Sequence, residues 1–354
     1  MKKNKITWKI RVVSLFLSLL TLCGLYNLIL CTFYVKEGIP QEPKGSMQML
    51  APEYEVYGNK VFFQNDVPKA FRGGRLLETD LTDFFKSGKK VGIKDVVTLH
   101  KGGPLLYILC EDFQMQALNM DTNKVKFDVN LLNAADMPDL NRIEKIEFQY
   151  ADETGAYVVL ESYRQDTILH VSSTGKVQVV HHFDEVVAEF FGIKVVGDKL
   201  IYSRIDEDES MTGIYALDLS SSKIEKLSDK RVRLDPQIPI FVWNNYYGYS
   251  DSNYVHLIAL DGKEEKELNL TYSCSCMCID DDYMYRGSTG ILTRYNLRTG
   301  TYEVAKGKEG YNGIMKVENG KLYLGYAISV DRIFFPTRVY VDDLSKYVWE
   351  DVTW

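Results

Sequence analysis

The 354-residue chain reads as an all-β protein, a β-propeller of about seven four-stranded blades preceded by an N-terminal transmembrane helix. Three observations predict this. A tight turn leading into a Tyr- or Phe-bearing strand recurs seven times at spacings of 37 to 52 residues. Tyrosine is abundant, at 24 residues against 9 prolines, which suits aromatic side chains laid on pleated sheet. An uncharged run of 24 residues follows a basic N-terminus.

Residues 1–11, MKKNKITWKIR, carry five basic side chains and no acid, and read as a cytoplasmic tail. The run 12–35, VVSLFLSLLTLCGLYNLILCTFYV, would reach about 36 Å as a helix, enough to cross a hydrocarbon core of about 30 Å. Basic residues ahead of it hold that end inside, so the remainder is exported and the chain is a single-pass cell-membrane protein. A cleaved signal peptide is the competing reading. It would have an apolar stretch of about 7–15 residues ending at small residues, and this run is longer with no such site. Leu22 before Cys23 and Leu30 before Cys31 disfavour a lipid-modified cysteine. A buried core helix would seldom carry so basic a flank.

Residues 36–53 hold prolines, glycines and little periodicity, and read as a tether. Beyond position 36 the chain has 36 basic against 49 acidic residues, a net charge of −13. Such a domain is a poor partner for nucleic acid, which is set aside.

Residues 54–354 carry the repeat. The first marker appears as YGNKVFF, KGGPLLY, TGAYVVL, VGDKLIY, NNYYGY, DDYMY and NGKLYL. A second turn follows in most units, as DTNKVKF, STGKVQVV, SSSKIEKL, DGKEEKEL, RTGTYEV and DLSKYVW. Gly, Asn and Asp supply the positive φ angles of tight hairpins, and alternating apolar residues make two-faced strands between them. Residues 197–227 are the clearest copy, strand–loop–strand–turn–strand, with FGIKVV upstream adding a fourth. One blade exposes both faces, so the ring must close. The segment YVWEDVTW is expected to share a blade with EYEVYGNKVFF. The first unit is irregular: ETDLTDFFKSG and MPDLNRIEKI each read equally as short helices, so six or eight blades remain compatible with the pattern.

The layout resembles bacterial membrane-anchored, extracytoplasmic β-propeller proteins of unknown function. GDKLIYSR with IYALDLSSSK, and DDYMYRG with LTRYNLRTGT, carry that likeness best. The resemblance covers most of residues 54–354 and implies architecture and export. Propellers of that kind bind proteins, peptides or glycans and occasionally catalyse, so no activity follows from it.

Enzyme signatures are missing: no G-x-S-x-G, H-E-x-x-H or phosphate-cradling G-x-x-x-x-G-K-[ST] occurs. No catalytic residue, cofactor or metal is assigned. The adjacent His181 and His182 would point to opposite faces of a strand, which suits a solvent edge better than a shared ion. Acidic Asp206–Glu209 lacks the order of a calcium loop. In YSCSCMCID, strand alternation puts Cys274, Cys276 and Cys278 on one face near the channel, where small thiols pack. A disulfide to Cys110 and a metal site are the weaker alternatives. The stretch FVWNNYYGYSDSNYVH offers Trp243, Tyr246, Tyr247 and Tyr249 as ligand-binding aromatics, against the plainer reading that they fill space between blades.

Together these features predict a membrane-tethered binding module for an envelope protein, peptide or glycan. The alternatives are a polysaccharide-acting enzyme with carboxylates at the channel mouth, and a structural subunit of an envelope assembly.

Overall fold

The computed structural model describes residues 13–19, 21–22, 35–37, 48–50, 54–65, 74–80, 89–133, 143–162, 166–183, 189–205, 212–230, 232, 239–251, 254–288, 290–306, 311, 313–329 and 338–352. Two short strands come first, β1 (Val35–Glu37) and β2 (Gln48–Leu50). A seven-stranded sheet then runs in chain order through β3 (Tyr54–Tyr57), β4 (Lys60–Asn65), β5 (Gly74–Asp80), β6 (Lys89–Gly102), β7 (Leu105–Cys110), β8 (Gln114–Asn119) and β9 (Lys124–Asn130). Three four-stranded meanders follow. The first is β10 (Ile143–Ala151), β11 (Gly155–Ser162), β12 (Thr167–Ser172) and β13 (Val177–His182). The second is β14 (Glu189–Val196), β15 (Lys199–Ile205), β16 (Gly213–Asp218) and β17 (Ile224–Ser228). The third is β18 (Phe241–Trp243), β19 (Tyr246–Asp251), β20 (Tyr254–Ala259) and β21 (Glu265–Asn269). The next sheet holds β22 (Cys276–Asp280), β23 (Tyr283–Ser288), β24 (Ile291–Asn296) and β25 (Tyr302–Lys306). The last holds β26 (Ile314–Glu318), β27 (Lys321–Ser329) and β28 (Arg338–Asp343), and β29 (Glu350–Asp351) ends the series.

The strands therefore form an all-β propeller of six hydrogen-bonded sheets, not seven separate ones. The reason is β6. Its 14 residues pair with β5 over Lys89–Val96 and with β7 over Val96–Gly102, so two sequence units share one strand. Asp95, at the switch, has φ +58°. The stretch read as a short helix from Glu78 begins as the end of β5, and residues 81–88 lie outside the described set.

The turn chemistry follows the repeat. Asn244, Asp281 and Asn319 take left-handed φ of 49°, 51° and 53° at the place that Gly58 and Gly197 hold in other units. At the second turn an Asn or Asp closing the third strand accepts backbone N–H groups two and three residues on. Asp218 Oδ1 takes Ser220 and Ser221 at 3.0 and 2.8 Å, and Asn296 Oδ1 takes Arg298 and Thr299 at 2.9 Å.

Burial grades outward from the ring centre. All six residues of β7 are buried, whereas β9, β17 and β21 expose most of theirs. Cores lie between sheets, where the face of one meets the next. Tyr202 and Tyr215 pack with Tyr157 and Phe183 in this way, and Tyr247 and Ile258 pack with Ile201 and Ala216. The seven-stranded sheet also folds onto itself, with Phe62 of β4 packed on Leu99, Leu106 and Ile108.

Ring closure differs from the expected pairing of the two ends. β29 adds to β25, so YVWEDVTW does not join β3. Instead β1 pairs in parallel with β28, and β2 extends the edge of β27 beyond β26. Side chains complete the seam: Tyr54, Val56, Val61 and Phe63 pack on Tyr323, Val339 and Val341.

The N-terminal expectations change too. Among the described residues no helix is long and apolar enough to cross a membrane. Residues 13–19 and 21–22 are helical, and Val13, Leu15, Phe16 and Leu17 are all exposed. The rest of the expected span lies outside the described residues apart from Val35, which belongs to β1. The segment read as a tether likewise contributes strands at Val35–Glu37 and Gln48–Leu50.

Candidate functional site

The strand that opens each unit lies innermost. β3 packs beside β6, β6 beside β10, β10 beside β14, β14 beside β18, and β22 beside β26. Between these strands lies a cavity of about 600 Å³, lined by residues of β3, β6, β10, β14, β22 and β26 and by Pro239 and Ile240 just ahead of β18. Its walls are part apolar, with Phe148, Ile193, Met277 and Met315, and part polar, with Glu55, His100, Lys101, Lys194 and Lys316.

The polar residues form a network across sheets. Lys316 Nζ donates to Glu55 at 2.5 Å, and Lys101 Nζ donates to Glu318 at 2.7 Å and to the Val56 carbonyl at 2.9 Å. Burial alone would raise the Glu55 carboxyl pKa, but Lys316, with His100 and Lys101 behind it, holds it below its usual value. His100 Nε2 lies 3.1 Å from the Phe148 carbonyl, its ring edge-on to Phe148 at 4.6 Å. Burial, with Lys316 and Lys194 nearby, lowers the imidazole to about 4, so it is neutral at pH 7. Lys194 extends over the Tyr150 ring with Nζ 5.0 Å from the centroid. Burial and the neighbouring Lys316 bring its ammonium down to about 8 against the opposing pull of Glu55. At the end of β22 Asp280 is raised, chiefly by burial and then by Asp281 and Glu318.

None of these residues stood out in the sequence, since the partners lie up to 261 positions apart. A register signal was present nonetheless. Glu55, His100, Lys194 and Lys316 each stand three residues before a left-handed turn residue, namely Gly58, Gly103, Gly197 and Asn319. One position repeated around a ring places its side chains at one depth.

The aromatic candidates divide. Tyr247 and Tyr249 are buried between sheets: the Tyr247 hydroxyl meets Ser203 Oγ at 2.9 Å and the Gly192 carbonyl at 3.1 Å, while Tyr249 stacks on His256 at 4.7 Å. Trp243 and Tyr246 are half-buried and stack on one another at 6.2 Å. Trp243 Nε1 donates to Asp282 at 3.0 Å, and Tyr246 donates to Glu264 at 2.6 Å. The structure thus brings two of the four into the interior and leaves two as an outer pair.

The cysteines do not share one face. β22 begins at Cys276, so alternation holds only from there. Cys276 and Cys278 pack with Tyr311, Met315 and Leu324, whereas Cys274, ahead of the strand, packs on the Met277 side. No disulfide joins the four described cysteines, and Cys110 lies inside the core of β6–β8. Burial raises Cys110 to about 12 and raises Cys278 further. Among these four, alkylation of the native chain followed by peptide-resolved mass spectrometry is expected to modify Cys274 first and to spare Cys110, Cys276 and Cys278 until unfolding. His181 and His182 lie on β13, where His182 Nδ1 meets Thr167 Oγ1 at 3.0 Å; residues 206–209 lie outside the described set. Among the described residues no cluster of three His, Cys, Asp or Glu is spaced to hold a metal.

No protein-family model matches the chain, and no curated protein matches it in sequence. Solved structures do. An oligogalacturonate lyase from Vibrio parahaemolyticus superposes with a TM-score of 0.54 at 9% identity, over 83% of this chain and 90% of that one. An oligogalacturonate lyase in complex with manganese gives 0.54 at 9% identity, over 85% and 98%. A puromycin hydrolase mutant gives 0.56 at 12% identity over 89% of this chain, which spans 56% of that protein. At these identities the likeness to the lyases shows the β-propeller fold alone.

Proposed function

We propose that this protein is a binding module whose central channel captures a ligand from the cell envelope, a protein segment, peptide or glycan. The observation that carries this reading is the cavity itself. It is concave, of the size that takes a small ligand or one residue of a larger one, and its apolar walls carry a few convergent polar groups. A membrane tether is part of the proposal: residues 12–35 serve as a signal anchor, with residues 54–354 on the extracytoplasmic side. Exposed Val13, Leu15, Phe16 and Leu17 on the helical turns support it. The ring is read as seven blades, the long sheet dividing at Asp95. Among the described residues seven separate apolar cores, one of them between β4 and β6–β8, support that count.

The half-buried Trp243–Tyr246 pair is an accessory stacking surface in this reading. A second reading, catalysis on polysaccharide, draws support from Asp280, whose carboxyl is held toward the protonated form beside Asp281 and Glu318. The two are separated by one experiment. A photo-crosslinking amino acid at Gln149, in the cavity, is compared with one at the exposed Glu225 in membrane-fractionated cells. A ligand recovered from the first position and not the second supports capture. Equal recovery at both sites overturns it, and recovery of shortened glycan that stops with Asp280→Asn favours catalysis.

A further inference from the structure

Three lysines line the cavity, and two of them are neutralised. Lys101 is paired with Glu318 and Lys316 with Glu55. Lys194 has the Tyr150 ring beneath it and, among the described residues, no carboxylate within ion-pair distance. Of the other lining groups, Glu55 is already held by Lys316, His100 is bonded to the Phe148 carbonyl, and the Glu147 carboxylate accepts Gln149 Nε2 at 2.8 Å without reaching Lys194. Among the described lining residues Lys194 is thus the lysine without an ion pair.

An ammonium in this wall, countered by the Tyr150 ring and the pull of Glu55 but by no ion pair, carries a cost in free energy. Such groups concentrate where a ligand completes the pairing. Resting on the reading of the channel as a capture site, we infer that Lys194 recognises a ligand bearing one carboxylate. One carboxylate is the number this lysine can match, because Lys101 and Lys316 are already ion-paired. The half-buried Tyr150 and Ile314 supply apolar surface for the rest of the ligand, and about 600 Å³ suits a molecule of one or two rings. With its ammonium near pH 8, Lys194 loses charge as pH rises through that value, so carboxylate affinity falls above it.

The test uses the full chain labelled at its methionine methyl groups, since Met277 and Met315 line the cavity. Two carboxylates, benzoate and glucuronate, are each titrated against a neutral counterpart, benzyl alcohol and glucose. At least one carboxylate is expected to shift the Met277 or Met315 methyl saturably, about tenfold tighter than its counterpart, as one charged hydrogen bond allows. Lys194→Met should erase that preference. Lys194→Arg should keep it and remove its decline between about pH 7 and 9, since arginine stays charged. Equal affinity for both members of each pair, with both shifting the methyls, overturns the carboxylate inference and leaves the channel reading intact. Absence of any shift from all four probes overturns both. A preference that survives Lys194→Met assigns the carboxylate elsewhere and overturns the role of Lys194.

Discussion

Replacing Lys194 with methionine is expected to stabilise the protein at pH 7. The native ammonium sits in a cavity wall near Lys316 with no anion of its own, and burial lowers it to about 8 from an ordinary 10.5. The sign follows from linkage. Between pH 8 and 10.5 the unfolded chain holds a proton on this lysine that the folded chain has released. The folded state is therefore penalised fully below pH 8, and the penalty fades as pH rises toward 10.5. Water in the cavity screens part of it, leaving about 1–2 kcal/mol to be recovered by the uncharged isostere. Denaturant midpoints of the wild type and Lys194→Met should differ most at pH 7 and converge near pH 10. A loss of stability, equal at both pH values, would mean that the lysine stem serves packing only. Stability gained where recognition is lost is the behaviour of a residue kept for binding.

Acid is expected to weaken the fold through His100. The folded imidazole titrates near 4 against 6.5 when unfolded. As pH falls between these values the unfolded chain takes up a proton that the folded chain refuses, so stability is lost across that window and the loss is complete below about 4. Its size is about 2–3 kcal/mol after allowance for cavity water. The facing groups are Glu55, which favours the charged ring, and Lys316 and Lys194, which oppose it. Glu55 has its own window. Its folded carboxyl lies below the usual value, so the stability it contributes is lost only as pH falls lower still. His100→Gln keeps a donor for the Phe148 carbonyl without titrating. The variant should lose less stability than the wild type between pH 6.5 and about 4.5, the remaining slope belonging to groups such as His170, which burial also lowers. An unchanged slope in that window would assign the acid sensitivity to other groups.

Much of the architecture was legible because it is local. Asn, Asp and Gly recur where hairpins need left-handed φ, and the third-strand Asx residues cap their own turns within three positions. Such features need no knowledge of distant chain. The strand count per unit and the tyrosine-rich cores followed from them. The blade count was harder, since β6 crosses from one unit to the next without a break, and Asp95 resembles any other turn residue until its pairing partners are known. Ring closure was misread for a similar reason. YVWEDVTW is apolar enough to pair with any open edge, and only the folded ring shows that β25 offers it while β1 takes the edge of β28.

The site was legible only in register. Cys274, Cys276 and Cys278 drew attention as a cluster, yet they divide between two cores because alternation begins only where pairing does, at Cys276. Trp243, Tyr246, Tyr247 and Tyr249 are adjacent in sequence, and adjacency on a strand sends neighbours to opposite faces. Chemistry in a ring gathers instead from one residue per unit. By itself the sequence determined that this chain builds hairpin meanders in an acidic propeller domain, because turns and alternation act over a few residues. Only the tertiary structure decided that Glu55, His100, Lys194 and Lys316 meet and that, among the described residues, Lys194 is left without an ion pair. Charge balance at the centre of a closed ring is set by side chains brought together from remote positions.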